Sequence, residues 1–174
     1  MQGLLTIVKA FWQIALFRTG PDSLPDSRTL LVLTITAYIA VDVIVILVIY
    51  PRNALPPLLL VDVGFLILWC AGILRLFGFA PRLQQTLSAL FGTGALLQLL
   101  AFPLSGNPEI AGELPDIGLW LRVLVMVAIL LWSVAVYGHI FAKAISKSFG
   151  AGISFALVYF IVIYQFAGQW VQGN

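Results

Sequence analysis

The sequence predicts an all-α membrane protein, a bundle of five transmembrane helices preceded by an N-terminal amphipathic interfacial helix. Three observations carry that reading. Of the 174 residues, 61% are hydrophobic and 9% charged, against about 45–50% and about 25% in an ordinary soluble domain. A mean hydropathy of +1.07 leaves too little polar surface to cover a domain in water. Five apolar runs reach the roughly 20 residues that a helix needs to cross a bilayer core about 30 Å thick. Within them, stretches such as Val41-Asp-Val-Ile-Val-Ile-Leu-Val-Ile49 are continuous, whereas a β-barrel strand would alternate apolar and polar residues.

The first element is the N-terminal helix. Gln2, Thr6, Lys9 and Gln13 recur at helical spacing, while Leu4, Ile7, Val8, Phe11 and Ile14 form the apolar face. Lys9 interrupts what would be the apolar core of a signal peptide, which disfavours cleavage. A helix lying on the cytoplasmic leaflet or against the bundle, with Lys9 and Gln13 towards water, is the better reading. A doubled Pro-Asp-Ser follows in Gly20-Pro-Asp-Ser-Leu-Pro-Asp-Ser27, and its Asp and Ser residues suit a turn and the N-cap of the first span. Residues 1–28 are therefore an interfacial segment and residues 29–174 the membrane domain.

The spans are expected at about Thr29–Tyr50, Leu58–Phe77, Leu83–Phe102, Ile117–Gly138 and Gly150–Val171. The Pro51-Arg-Asn-Ala-Leu-Pro-Pro57 turn separates the first two, because proline lacks the N–H that a helix interior requires. Connections this short favour sequential antiparallel packing. Seven basic residues, Lys9, Arg18, Arg28, Arg75, Arg82, Lys143 and Lys147, fall on one side and only Arg52 and Arg122 on the other. The positive-inside rule then places the N-terminus in the cytoplasm and the C-terminus outside. Glu109, Glu113 and Asp116 belong to an external loop, and Trp120 and Trp170 to the outer interface.

Several function classes find no support in the residues. A net charge of +2 is too small and dispersed for a nucleic-acid footprint. One cysteine, Cys70, and one histidine, His139, exclude an intrachain disulfide and a Cys/His zinc site within the chain. GxxxxGK[ST], HExxH, CxxC and GxSxG are absent, so no catalytic residue, cofactor or metal is assigned. Gly92-Thr-Gly94 reads as a place where helices approach closely, Cys70 as a small apolar filler and His139 as an interfacial histidine.

Polar residues at bilayer depth are more informative, since a charge there costs on the order of 3 kcal/mol on insertion scales. Asp42 is roughly 12 Å deep from the outer end of its span, at about 1.5 Å per residue. Asp62, Gln98, Arg122 and Gln165 lie in the same outer half, so each span contributes one polar group. Two readings stay open: a polar site opening outward, or interhelical glue in which Asp62 or Asp42 pairs with Arg122 and the two Gln amides bridge neighbours. A second pattern, Ala144, Ser148, Gly152 and Ala156 at intervals of four, makes a groove where another helix can pack closely. An internal neighbour is its expected occupant, with a homo-oligomer or another membrane protein as the alternative.

The five-span layout, the stretch from Arg82-Leu-Gln-Gln-Thr-Leu-Ser to Ala-Phe-Pro-Leu104, and Leu131-Trp-Ser-Val-Ala-Val-Tyr-Gly-His-Ile-Phe141 resemble the bacterial branch of the Yip1 family of membrane proteins. That resemblance implies a bacterial inner-membrane protein without a soluble domain. Eukaryotic members contact Rab-type GTPases through long cytoplasmic N-terminal regions, and here only 28 residues precede the first span. The expected function is a non-enzymatic protein that organises lipids or partner proteins in the bilayer. The alternative is a small transporter or channel subunit in which Asp42 and Asp62 attract cations or protons and Arg122 is the counter-charge. A lipid-modifying enzyme ranks third, for want of clustered acid, base or metal ligands.

Overall fold

A computed structural model of the chain describes residues 2–50, 52–105 and 116–172. Its helices are α1 (Gln2–Ala15), α2 (Arg28–Ile49), α3 (Leu55–Leu76), α4 (Leu83–Ser105), α5 (Asp116–Ala144) and α6 (Phe149–Gln172), with no strand among the described residues. The five from α2 to α6 are long and apolar enough to cross a membrane, which makes the chain an all-α polytopic membrane protein. Ser27 caps α2, its Oγ accepting the Leu30 N–H at 3.4 Å. Helix α3 starts at Leu55, earlier than expected, so Pro56 and Pro57 occupy its first turn. There a missing N–H leaves no hydrogen bond unmade. Glu109 and Glu113 of the acidic loop, and the side chains of Leu4, Asp116 and Trp170, lie outside the described residues.

One end of the bundle is finished by repeated local geometry. Helices α1, α3 and α5 all stop with a residue in the left-handed region: Phe17 at φ 60°, Gly78 at 78° and Ser146 at 53°. In each case the next amide reaches back five residues: Arg18 to Gln13 at 2.9 Å, Phe79 to Leu74 at 2.7 Å and Lys147 to Ala142 at 2.9 Å. This satisfies carbonyls that a helix end would otherwise leave bare. Glycine adopts the conformation freely, whereas Phe17 and Ser146 cost about 1 kcal/mol each. Ring packing of Phe17 against His139 and Phe149, at 5.4 and 6.3 Å between centroids, helps offset that cost. The Arg82 guanidinium ties the same end together, donating to the Ala144 carbonyl at 3.0 Å and to Ser146 Oγ at 3.1 Å. It is called the basic end below, and the opposite one the far end.

Packing is concentrated in the basic half. Phe91, Phe141, Leu74, Leu90, Ile140 and Ile145 are fully buried there. Helix α4 is the central member, with 56% of its apolar window buried against 6% for α5, whose far half faces outward. The α5/α6 crossing depends on two glycines. A Cβ on Gly138 would come within 2.9 Å of the Ile153 backbone, and one on Gly152 would collide with the Gly138 carbonyl. Gly152 and Ala156 are buried on α6, so the small-residue groove is filled by this chain's own α5. Ala144 and Ser148 are not part of it. Ala144 ends α5, and Ser148 is exposed just before α6.

Helix α1 is docked on α4 and α5. Phe11, Ile14 and Ala15 are buried, and Phe11 lies over Gly92, where any Cβ would strike its ring. The Trp132 indole N–H donates to the Ala15 carbonyl at 2.9 Å, and Trp12 meets the Trp132 ring edge-on at 5.9 Å. Lys9 is exposed, as expected, and Gln13 is half-buried. Val8, expected on the packed face, is instead 42% exposed and joins Leu5, Trp12 and Leu16 on an outward apolar stripe. The i, i+3, i+7 and i+11 positions share one side of a helix, and that side faces away from the bundle. His139 is buried, its Nε2 donating to the Thr19 carbonyl at 2.9 Å. It serves as a strut for the turn after α1.

Candidate functional site

Two helices present their acids through a plain repeat. On α2 the buried positions are Leu30, Thr34, Tyr38, Asp42 and Ile46, and on α3 they include Leu58, Asp62, Leu66 and Cys70. A four-residue step keeps side chains on one face, so each carboxylate stands in the stripe that its helix turns inward. Asp42 and Asp62 are 6% and 9% exposed. Both line a cavity of about 490 Å³ bounded by all five spans. It runs from Tyr38 to Tyr50 along α2, roughly 18 Å at 1.5 Å per residue. Leu58, Ala101 and Ala167 wall it towards the far end.

The floor is built from tyrosines. Tyr38 from α2 donates its hydroxyl to one oxygen of Asp62 and Tyr159 from α6 donates to the other, both at 2.5 Å. Tyr137 from α5 stacks on Tyr159 with centroids 5.6 Å apart and donates to the Leu90 carbonyl at 3.3 Å. Helix α4 admits these rings because Gly94 has no side chain. A Cβ there would sit 2.5 Å from the Tyr137 hydroxyl and 2.8 Å from the Tyr38 ring. Beneath the floor Tyr38 meets Phe91 edge-on at 5.1 Å, and the apolar core of the basic half begins.

Asp42 is placed differently. Gln98 from α4 donates its amide N–H to Asp42 Oδ1 at 3.3 Å. Asp42 Oδ2 and Gln98 Oε1 are both buried and accept no hydrogen bond within the described structure. A buried acceptor without a donor costs about 1–3 kcal/mol. Among the described residues Thr19 Oγ1 and Ser88 Oγ also lack a partner, but of the unpartnered atoms only these two oxygens belong to the cavity lining, whose second acid, Asp62, is satisfied twice over.

Three of the five polar residues singled out in the sequence therefore meet at one site: Asp42, Asp62 and Gln98. The expected Asp62–Arg122 pair does not form. Both Asp62 oxygens are taken by tyrosines, and Arg122, outside the cavity lining, donates its Nε to the Leu104 carbonyl at 2.6 Å. Gln165 is exposed on α6, away from the lining. The tyrosines were the residues that sequence reasoning missed. Their signal was available, since Tyr38 lies one turn from Asp42 on the same face and Tyr159 falls mid-span. Trp69, also deep, bridges helices by donating to the Phe155 carbonyl at 3.0 Å. Comparison with known proteins finds no matching family model, no similar curated protein and no similar solved structure.

The arrangement has a chemical consequence. Among the described residues no Lys, Arg or His lines the cavity; its walls are mostly Val, Ile, Leu, Met and Ala, with Phe160, Ser133, Tyr50 and Tyr164 among them, and its two carboxylates lie towards the floor. Two carboxylates with no basic side chain beside them favour a cationic group over an anionic one in such a recess. The lining is thus apolar along most of its length, with acceptor oxygens gathered at one end.

Proposed function

We propose that the protein is a small membrane subunit that binds and passes an amphiphilic solute through this cavity, with the basic end in the cytoplasm and the cavity facing outside. The observation that carries the reading is the convergence of all five spans on one recess whose floor holds Asp42, Asp62 and Gln98. Glue alone would leave intramembrane acids paired, as Asp62 is. It does not account for buried acceptors at Asp42 and Gln98 beside a cavity that a small molecule could enter.

The test is accessibility. In a Cys70→Ala background, Ser133→Cys places a thiol on the cavity wall. A cationic methanethiosulfonate applied from outside should modify it about tenfold faster than an anionic one, because the lining favours a cation. The same reagents applied from the cytoplasmic side should leave it untouched. Absence of modification from either side would refute a solvent-connected site.

A second reading, the Yip1-like organiser of lipids or partner proteins in an inner membrane, draws on α1. Its Leu5, Val8, Trp12 and Leu16 stripe is exposed although the helix is docked. Full labelling of the cavity together with unchanged function after polar substitution of that stripe would set this reading aside.

A further inference from the structure

We infer that the tip of the solute is a protonated primary amine, held by Asp42 Oδ2 and Gln98 Oε1. This deepens the binding reading of the cavity and rests on it. The amide orientation of Gln98 follows from its neighbour: its N–H group faces the Asp42 carboxylate, so its carbonyl oxygen is the atom left over. Both leftover atoms are acceptors, both are buried and both belong to residues that line the cavity. Two acceptors of this kind ask for a donor-rich guest. An ammonium brings three N–H donors and one positive charge, enough to serve both oxygens and to neutralise Asp42.

The surroundings narrow the class. Asp62 is the poorer acceptor for the ammonium, since each of its oxygens already accepts from a tyrosine, whereas Asp42 Oδ2 accepts from no group in the described structure. Ser133 lines the α5 wall, and its hydroxyl is committed to the Ile129 carbonyl at 2.8 Å. With Ile46, Ile49, Leu97 and Met126 on the walls, most of the guest must be apolar, and Tyr50 and Tyr164 are the further phenols in the lining. No basic side chain in the lining would meet a phosphate, so a singly charged lipophilic amine fits better than a zwitterionic aminolipid. A quaternary ammonium supplies charge but no donor and should bind less well.

The test uses the full chain purified in detergent, with n-octylammonium, n-octanol and n-octyltrimethylammonium as probes and thermal unfolding as the readout. Octylammonium should raise the midpoint saturably, octanol should not, and the trimethyl probe should act more weakly. Asp42→Asn should weaken octylammonium about tenfold or more, the scale of one charge-assisted hydrogen bond. Gln98→Leu should weaken it less, and Gln98→Glu should strengthen it. Comparing variant with parent cancels partitioning into the micelle. Equal binding of octanol and octylammonium would overturn the ammonium assignment while leaving the cavity as a binding site. Loss of the octylammonium shift on filling the cavity with Ala167→Phe would confirm where it binds. Indifference of octylammonium to both Asp42→Asn and Gln98→Glu would overturn the inference even if one variant folded poorly. Competition by lyso-phosphatidylethanolamine stronger than by octylammonium would identify a lipid headgroup as the amine source and contradict the free amine.

Discussion

The two halves of the bundle solve opposite problems with the same five helices. In the basic half, left-handed stops at Phe17, Gly78 and Ser146, the Arg82 bridges and the docked α1 leave side chains interlocked around Phe91 and Phe141. In the far half the helices diverge around a cavity, and α5 from Leu119 to Leu131 is largely exposed to the surroundings. Lipid tails are as apolar as leucine, so in a bilayer helix association rests on close packing and hydrogen bonds rather than on hydrophobic burial. A rigid half is therefore what allows the other half to stay open. The tyrosine floor is the border between them, since Asp62 is bound from α2 and α6 at the level where close packing ends.

The comparison can be broken most severely at the α5/α6 crossing. Gly152→Val places methyl groups against the Gly138 carbonyl and Ala142, and it should lose about 3 kcal/mol, the upper range for overpacking. Denaturation of the purified protein would show this as a midpoint lowered by many degrees. A midpoint within a degree of the parent would mean that the two helices do not meet there.

Next in size is the docking of α1. Phe11→Ala removes a buried ring from its seat over Gly92 and should cost about 3 kcal/mol, with faster modification of a thiol placed at position 14. The parent should keep that thiol shielded while Lys9 reacts with a water-soluble amine reagent. Equal reactivity at both positions in the parent would show α1 as a detached surface helix.

At the border, Tyr159→Phe deletes a single hydroxyl and should cost about 1 kcal/mol. Tyr38→Phe should cost a similar amount. The double variant should lose less than the sum, because the two hydroxyls share one carboxylate. Strict additivity would argue that Asp62 is not their common acceptor. The smallest effect belongs to the far half, where Ala167→Phe projects into the cavity and should change stability by no more than about 0.5 kcal/mol. A large loss there would mean that the recess is packed rather than open.

How legible this was in the sequence depended on the kind of information each feature needs. Span existence depends only on length and apolarity, so all five runs appeared, and most misplacements arose at ends. Pro56 and Pro57 read as a break because proline interrupts helices, yet the first turn tolerates it. The docking of α1 was foreseen through Phe11 and Ile14, but Val8 was assigned to the wrong edge of the face. A narrow apolar sector cannot be told from a wide one when the outer side meets lipid. Position along each span groups Asp42, Asp62 and Gln98 with Arg122 and Gln165, and the first three do meet at the cavity. Azimuth was not legible. Arg122 and Gln165 share the depth of the others but turn elsewhere, and Ala144 belongs to a different helix from Gly152 although their spacing is regular. The tyrosines escaped because a phenol looks aromatic in a hydropathy pattern, while in lipid its hydroxyl is a strong donor to a buried acid.

The account stands on a difference between two aspartates at similar depth: Asp62 is a structural hub, and Asp42 is held ready for a guest. Thermal unfolding of Asp62→Asn and Asp42→Asn, side by side in one detergent without added amphiphile, measures that difference directly. Asp62→Asn disturbs two hydroxyl contacts and should lose about 2 kcal/mol. Asp42→Asn removes a buried acid with an unmatched oxygen, so its midpoint should equal or exceed the parent's. An equal loss in both variants, or a larger one at Asp42, would contradict the division of labour on which the proposed site depends.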